Sequence, residues 1–197
     1  MTKTKEYDRA YFDRWYRNRT TRVNEHAEVR RKAALAIATT EYFLHRKIVN
    51  VLDVGCGEGA WRAHLRSFRP RIEYLGLDSS EYAVSRYGRS RNIRRATFGE
   101  LPSLDLGTFD LVVCSDVLHY VADDELRAGA GAIARLCDGI AFIEVLTSED
   151  DVVGDLDAFI HRPAAWYRTV FRKAGLERVA PYCWLSPALR DARAELE

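Results

Sequence analysis

The chain has 197 residues and a mass of 22.6 kDa, with 47% apolar and 30% charged residues, the size and balance of one soluble globular domain with a real core. No apolar run approaches a membrane span, and the polar, aromatic N-terminus lacks a secretory apolar core, so a cytoplasmic protein without membrane attachment is expected. The formal net charge is only +1, which argues against a nucleic-acid partner.

That charge is unevenly spread. Residues 1–100 carry 21 Lys and Arg against 12 Asp and Glu, a net of +9, and residues 101–197 carry 9 against 17, a net of −8. The simplest reading is two solvated faces. The four cysteines, Cys56, Cys114, Cys137 and Cys183, are far apart and form no C-x-x-C pair. Buried thiols in a reducing compartment are expected, rather than zinc or disulfides.

The N-terminal stretch Tyr7 to Tyr16 is dense in aromatics. A short amphipathic helix would put Tyr11, Trp15 and Phe12 on one side. From Glu25 to His45, Val29, Ala33, Ile37, Phe43 and Leu44 recur at mostly helical spacing and predict a packing helix. An apolar run, Val51 to Val54, then ends in Gly55-Cys56-Gly57-Glu58-Gly59 and a helix-compatible segment from Ala60 to Phe68. This is a buried strand, a tight turn and a helix start. The glycines free the backbone and let a ligand approach closely.

With Asp53 and the alternate glycines, this stretch resembles the first motif of class I S-adenosylmethionine (SAM) dependent methyltransferases. The competing reading is a dinucleotide loop of the G-x-G-x-x-G kind, which presents a helix N-terminus to a pyrophosphate. Here the carboxylates of Asp53 and Glu58 would repel a pyrophosphate and suit a ligand with an ammonium and a sulfonium. The resemblance implies that Asp53, Gly55, Cys56 and Gly57 contact SAM. It also implies that a segment before the first strand, here with Tyr11 and Trp15, folds over the pocket. Packing against the body is the competing role for those rings.

A second strand, Ile72 to Leu77, ends at Asp78, about 20 residues past the glycines, where a ribose-binding acid belongs. Its carboxylate can accept from two vicinal hydroxyls, with Ser79 beside it; Ser79 or Ser80 is the better helix cap. Arg86, Arg89, Arg91, Arg94 and Arg95 lie between the next helix and a third strand over Ile93 to Phe98 and read as a solvated face. Glu100 and Leu101 match the family's loop after the third strand, which meets the adenine edge. The run Phe109 to Tyr120 resembles its fourth-strand motif. The resemblance places Ser115 and Asp116 at the cofactor and Tyr120 toward the acceptor. An Asn/Asp-Pro-Pro-Tyr signature is missing at this position, which argues against methylation of nucleic-acid bases.

Asp123 to Cys137 predicts a helix, and Ile140 to Leu146 a fifth strand with Glu144 inside it. The segment from Ser148 to Asp157 is rich in acids, and the family builds substrate specificity there. His161-Arg162-Pro163 opens a helix with Trp166, Val170 and Phe171 on its buried face and Gly175 as its stop. Leu176 to Leu185 predicts a sixth strand, irregular at Pro181. Too little apolar sequence follows for a full seventh strand, so six strands are expected, or seven with the last reduced to a few residues.

The expected architecture is α/β, Rossmann-like and doubly wound, a mostly parallel sheet of six to seven strands with helices on both faces. An N-terminal helical or lid segment over 1–48 precedes a SAM-binding core over 49–197. By this resemblance the protein transfers a methyl group from SAM to a small molecule by in-line displacement, leaving S-adenosylhomocysteine and needing no metal. A non-catalytic SAM-binding subunit and an NAD(P)-dependent oxidoreductase are the other readings. If the acceptor must lose a proton, His119 is the first candidate base, against a packing role, with Tyr120 and His161 behind it.

Overall fold

The computed structural model describes residues 7–18, 26–151 and 155–192. Arg19, Arg22 and the last stretch of the tail lie outside them. The elements in order are α1 (Arg9–Phe12), which continues as a wide π-helical turn over Asp13–Arg17, α2 (His26–Leu44), β1 (Asn50–Val54), α3 (Ala60–Phe68), β2 (Glu73–Asp78), α4 (Glu81–Arg91) and β3 (Ile93–Arg95). They are followed by β4 (Phe109–Ser115), α5 (Asp123–Leu136), β5 (Cys137–Glu144), α6 (Ala164–Lys173), β6 (Glu177–Ala180) and β7 (Cys183–Leu185).

Among the described residues the strands form one seven-stranded sheet in the order β3-β2-β1-β4-β5-β7-β6. β1 to β5 are parallel, and β7 runs antiparallel to both β5 and β6. The strands alternate between two cores, because successive side chains leave a strand on opposite faces. Val112, Cys114, Ala141 and Ile143 join Leu126, Ile133 and Phe171 of α5 and α6 on one face. Leu111, Val113, Ile140 and Phe142 join Val29, Ala33 and Ile37 of α2 and Trp61 and Leu65 of α3 on the other. The chain leaves β1 toward β2 on one side, and β4 sits on its other side. The crevice outside these strand ends is where open α/β sheets bind ligands.

Three elements differ from expectation. The run Leu176 to Leu185 is two strands, not one. Proline has no N–H for the ladder, and Tyr182 takes a left-handed φ of 61°, so the chain turns back at Pro181-Tyr182. The seventh strand therefore comes from inside the predicted sixth and has three residues. The third strand stops at Arg95, because Thr97 and Glu100 close a capping box that starts a 3₁₀ turn over Phe98–Ser103. In α6 Tyr167, 2% exposed, joins Val170 and Phe171 on the buried face in place of Trp166. Trp166 lies half-buried beneath the Arg162 guanidinium, 4.8 Å from its ring.

Among the described residues no helix is long and apolar enough to cross a membrane.

Candidate functional site

The turn after β1 holds Gly55, Gly57 and Gly59 at φ of 70°, 53° and 77°, a region that favours glycine. The backbone N–H groups of Gly55 and Cys56 both donate to Leu77 O, at 2.8 and 3.0 Å, which folds the turn onto the end of β2. There the Asp78 carboxylate accepts from Gly57 N at 2.6 Å and Ser80 N at 2.8 Å. Ser80 caps α4 by accepting from Ala83 N and donates to Tyr7 O. One carboxylate thus fixes the glycine turn, the start of α4 and one wall of the cavity between them.

That cavity has a volume of about 220 Å³. It is lined by Gly55, Gly57, Asp78 and Ser79 after β1 and β2, by Thr97 and Phe98 after β3, by Asp116, Val117 and Tyr120 after β4, and by Glu125 of α5. Tyr7, Tyr11, Phe12 and Tyr16 of the N-terminal segment cover it. This segment is tied down at several points. Arg17 bonds the carboxylates of Asp13 and Glu58 and lies 3.3 Å from the Tyr82 hydroxyl. The Phe12 ring packs 5.7 Å from Tyr82, and a Cβ on Gly57 would come within 3.2 Å of the same ring.

Asp53, Cys56 and Ser115 do not line this cavity. They border a smaller space of about 30 Å³ across the glycine turn, with Tyr16, Lys32 and Gly55. Asp53 is buried beneath the turn and accepts from the Tyr74 hydroxyl at 2.7 Å. Burial pushes its carboxyl up to about 7, and the nearby Asp78 charge adds to this. Ser115 donates to Glu144, whose other oxygen takes the Lys32 ammonium at 2.6 Å. Glu144 ends β5, so its charge is met by that ion pair.

Other candidates are displaced for identifiable reasons. Glu100 is exposed and turns its carboxylate back on Thr97 N and Oγ1, and Leu101 is fully buried in the core. Thr97, Phe98 and Glu125 stand at the wall in their place. Trp15 points away from the cavity and carries the Arg14 guanidinium 4.6 Å over its ring. The π turn is the cause: its Asn18 N to Asp13 O bond adds a residue to the turn. The partner of Tyr11 over the cavity becomes Tyr16 instead of Trp15. His119 is fully buried between Tyr120, at 4.2 Å, and a stacked Phe159, at 4.9 Å. Its Nε2 lies 3.6 Å from Asp116 Oδ1, behind the cavity wall. His161 is exposed beyond Phe159, with rings 4.8 Å apart.

The turn after β4 is held from outside. Arg162, 4% exposed, donates to Leu118 O at 3.3 Å, Val121 O at 2.6 Å and Asp123 Oδ1 at 2.8 Å. Ile160 N donates to His119 O, and the Tyr120 hydroxyl donates to Asp155 O at 2.7 Å. No single-residue signal in the sequence marks Arg162, Tyr7 or Glu125 for these places, because distant segments bring them there.

The polar lining is one-sided in charge. Among the described residues it holds three carboxylates, Asp78, Asp116 and Glu125, four phenols, and no Lys, Arg or His. Burial, then Asp155, Asp78, Asp157 and Asp116, push Tyr7 up to about 12. Burial and the neighbouring acids and phenols likewise raise Tyr11, Tyr16 and Tyr120, so all four stay neutral hydroxyls at physiological pH. Such a cavity suits a ligand with vicinal hydroxyls and positive charge and opposes a pyrophosphate. Among the described residues no cluster of three His, Cys, Asp or Glu could hold a metal.

Residues 52–139 match the family model described as a methyltransferase domain. The ubiquinone biosynthesis O-methyltransferase of Hahella chejuensis is 34% identical over 80 residues, 37% of this chain and 33% of that protein. The chain spans about a third of the length of the curated relatives it matches. Among solved structures, the sugar N-methyltransferase KedS8 from Streptoalloteichus superposes with a TM-score of 0.67 at 19% identity, over 87% of this chain and 90% of that one. The magnesium protoporphyrin IX methyltransferase of Synechocystis, with S-adenosylhomocysteine bound, gives a TM-score of 0.60 at 18% identity over 90% and 92%. At these identities the structures share the fold.

Proposed function

We propose that this chain, whose core is a methyltransferase domain of the class I, Rossmann-like family, binds SAM and transfers its methyl group to a small-molecule acceptor. The observation that carries this is the pairing of the glycine turn with Asp78 in a cavity whose charged side chains, among the described residues, are all carboxylates. Among the described residues a dinucleotide's pyrophosphate finds no cation there, while a ribose diol and a sulfonium find acceptors.

In this reading Gly55 and Gly57 let the cofactor lie against the backbone, with Asp78 on the ribose and Ser79 beside it. Thr97, Phe98, Val117 and Glu125 take the place at the adenine that the family resemblance implied for Glu100 and Leu101. Asp53 acts from beneath the turn through Tyr74. Cys56 and Ser115 stand on the far side of the turn, at the smaller space beside Lys32. SAM supplies a methyl group already activated by its sulfonium, so catalysis rests on holding three atoms in line. Asp116 and Tyr120 are the polar groups placed to orient an acceptor. His119 serves as their packing support rather than as a base. The N-terminal segment is a lid whose aromatic rings exclude water. The reading needs no metal, and the four buried free cysteines support a reducing, cytoplasmic compartment.

Release of S-adenosylhomocysteine on a metabolite library tests the activity. Turnover with at least one small acceptor is expected. Tight SAM binding with no release on any acceptor would instead make this a non-catalytic SAM-binding domain.

A further inference from the structure

We infer that Arg162 is a positioning residue for methyl transfer, which sets from behind the part of the cavity lining that follows β4. The inference rests on the methyl-transfer reading of the same site.

Arg162 lies just before α6 and is 4% exposed. Burying a guanidinium costs several kcal/mol of lost hydration unless its donors are met. Nη1 donates to Leu118 O at 3.3 Å and to the Tyr167 hydroxyl at 3.3 Å, Nη2 to Val121 O at 2.6 Å, and Nε to Asp123 Oδ1 at 2.8 Å. All of these acceptors except the Tyr167 hydroxyl belong to one stretch, 118–123. The planar fork reaches them at fixed angles, which the single ammonium of a lysine cannot do. The Trp166 ring, 4.8 Å away, lies against the same guanidinium.

The groups that Arg162 holds carry the lining. Leu118 O and Val121 O flank His119 and Tyr120, and Tyr120 and Val121 line the cavity. Asp116 and Val117, which also line it, run directly into Leu118. Asp123 is the first residue of α5, and Glu125 lines the cavity from the same first turn. One guanidinium thus joins the turn after β4 to the start of α5. Beside it, Ile160 N donates to His119 O at 2.8 Å and Ser148 N to Arg162 O at 2.9 Å, so the segment between β5 and α6 is fastened to the same turn. A buried ion pair is a poor source of stability, because apolar side chains of similar size often replace one without loss. What Arg162 supplies and an apolar side chain does not is placement. A displacement of about 1 Å in such a site costs up to about a hundredfold in rate.

The test uses the intact chain and calorimetric titration with S-adenosylhomocysteine. Arg162→Lys keeps the charge, and Arg162→Met keeps much of the bulk. Phe171→Leu, which trims a buried α6 ring packed 4.9 Å from Trp184, is the reference for lost stability alone. All are titrated well below their melting temperatures, so that only folded protein is measured. Both Arg162 variants should bind at least about tenfold more weakly, and Phe171→Leu should stay within about twofold of the unaltered chain. Tyr120→Ala and Glu125→Ala then test the route. Each should cost less affinity in the Arg162→Met background than in the unaltered chain, because a side chain already misplaced has less to lose. Unchanged affinity in the Arg162 variants, an equal loss in Phe171→Leu, or losses that add in full would overturn the proposal. A chain that no longer folds with either Arg162 substitution would overturn it too, by assigning Arg162 to folding alone. Failure of the unaltered chain to bind S-adenosylhomocysteine would instead overturn the methyl-transfer reading.

Discussion

Substituting Gly55 by alanine tests whether the glycine turn sets the shape of the cavity. A Cβ on Gly55 would lie 2.3 Å from Val117 Cγ2 and 3.1 Å from Cγ1, at a φ of +70°. Gly107, on the loop before β4, has the same φ of +70° and nothing within 4 Å of a Cβ. Both alanines meet the left-handed strain of about 1–2 kcal/mol. Only Gly55→Ala adds overpacking, roughly 1–3 kcal/mol. With about 2–4 °C of melting temperature per kcal/mol for a chain of this size, Gly107→Ala should lose several degrees and Gly55→Ala about twice as much. Val117 lines the cavity, so Gly55→Ala should also weaken SAM binding by calorimetry, while Gly107→Ala should not. Val117→Ala, which removes both γ carbons and leaves the nearest contact at 3.3 Å, should restore much of the stability of Gly55→Ala. Equal losses for the two glycines with unchanged SAM affinity in both would refute the reasoning.

Asp78→Asn keeps one acceptor but turns an amide donor toward Gly57 N or Ser80 N; it should cost about 1–3 kcal/mol in urea unfolding and a similar amount in SAM affinity. Asp53 has a folded pKa raised by burial from 3.8 to about 7, so folding takes up a proton between those values. Its contribution is fully present below about pH 4 and is lost as pH rises through about 7; Asp53→Asn, measured by unfolding across that window, should flatten the slope. Deleting residues 1–17 removes the Arg17 contact to Glu58 and the aromatic cover, and should weaken SAM binding and abolish turnover with the melting transition still cooperative.

What could be read in the sequence was local. The run from Val51 to Phe68 carries its strand, turn and helix in its own residues, and the spacing to Asp78 follows from one helix and one short strand. The departures come from geometry that no single window encodes. One extra residue in the π turn exchanges Trp15 for Tyr16 over the cavity. A capping box captures Glu100, so the wall is built from Thr97, Phe98 and a helix 25 residues further on, at Glu125. In the 3₁₀ turn Leu118–Tyr120, His119 and Tyr120 face different sides, and Arg162, more than forty residues away in the chain, fixes which is which. Pro181 was visible as an irregularity, but only its pairing with a left-handed Tyr182 turns an irregular strand into a hairpin.

The central claim is that this cavity is built for a cationic nucleoside cofactor. Calorimetric titration of the intact chain with SAM, S-adenosylhomocysteine and NAD tests it most directly. One equivalent of SAM and of S-adenosylhomocysteine should bind, Asp78→Asn should weaken both, and NAD should give no heat. Binding of NAD, or no binding of SAM by the folded protein, would contradict the account.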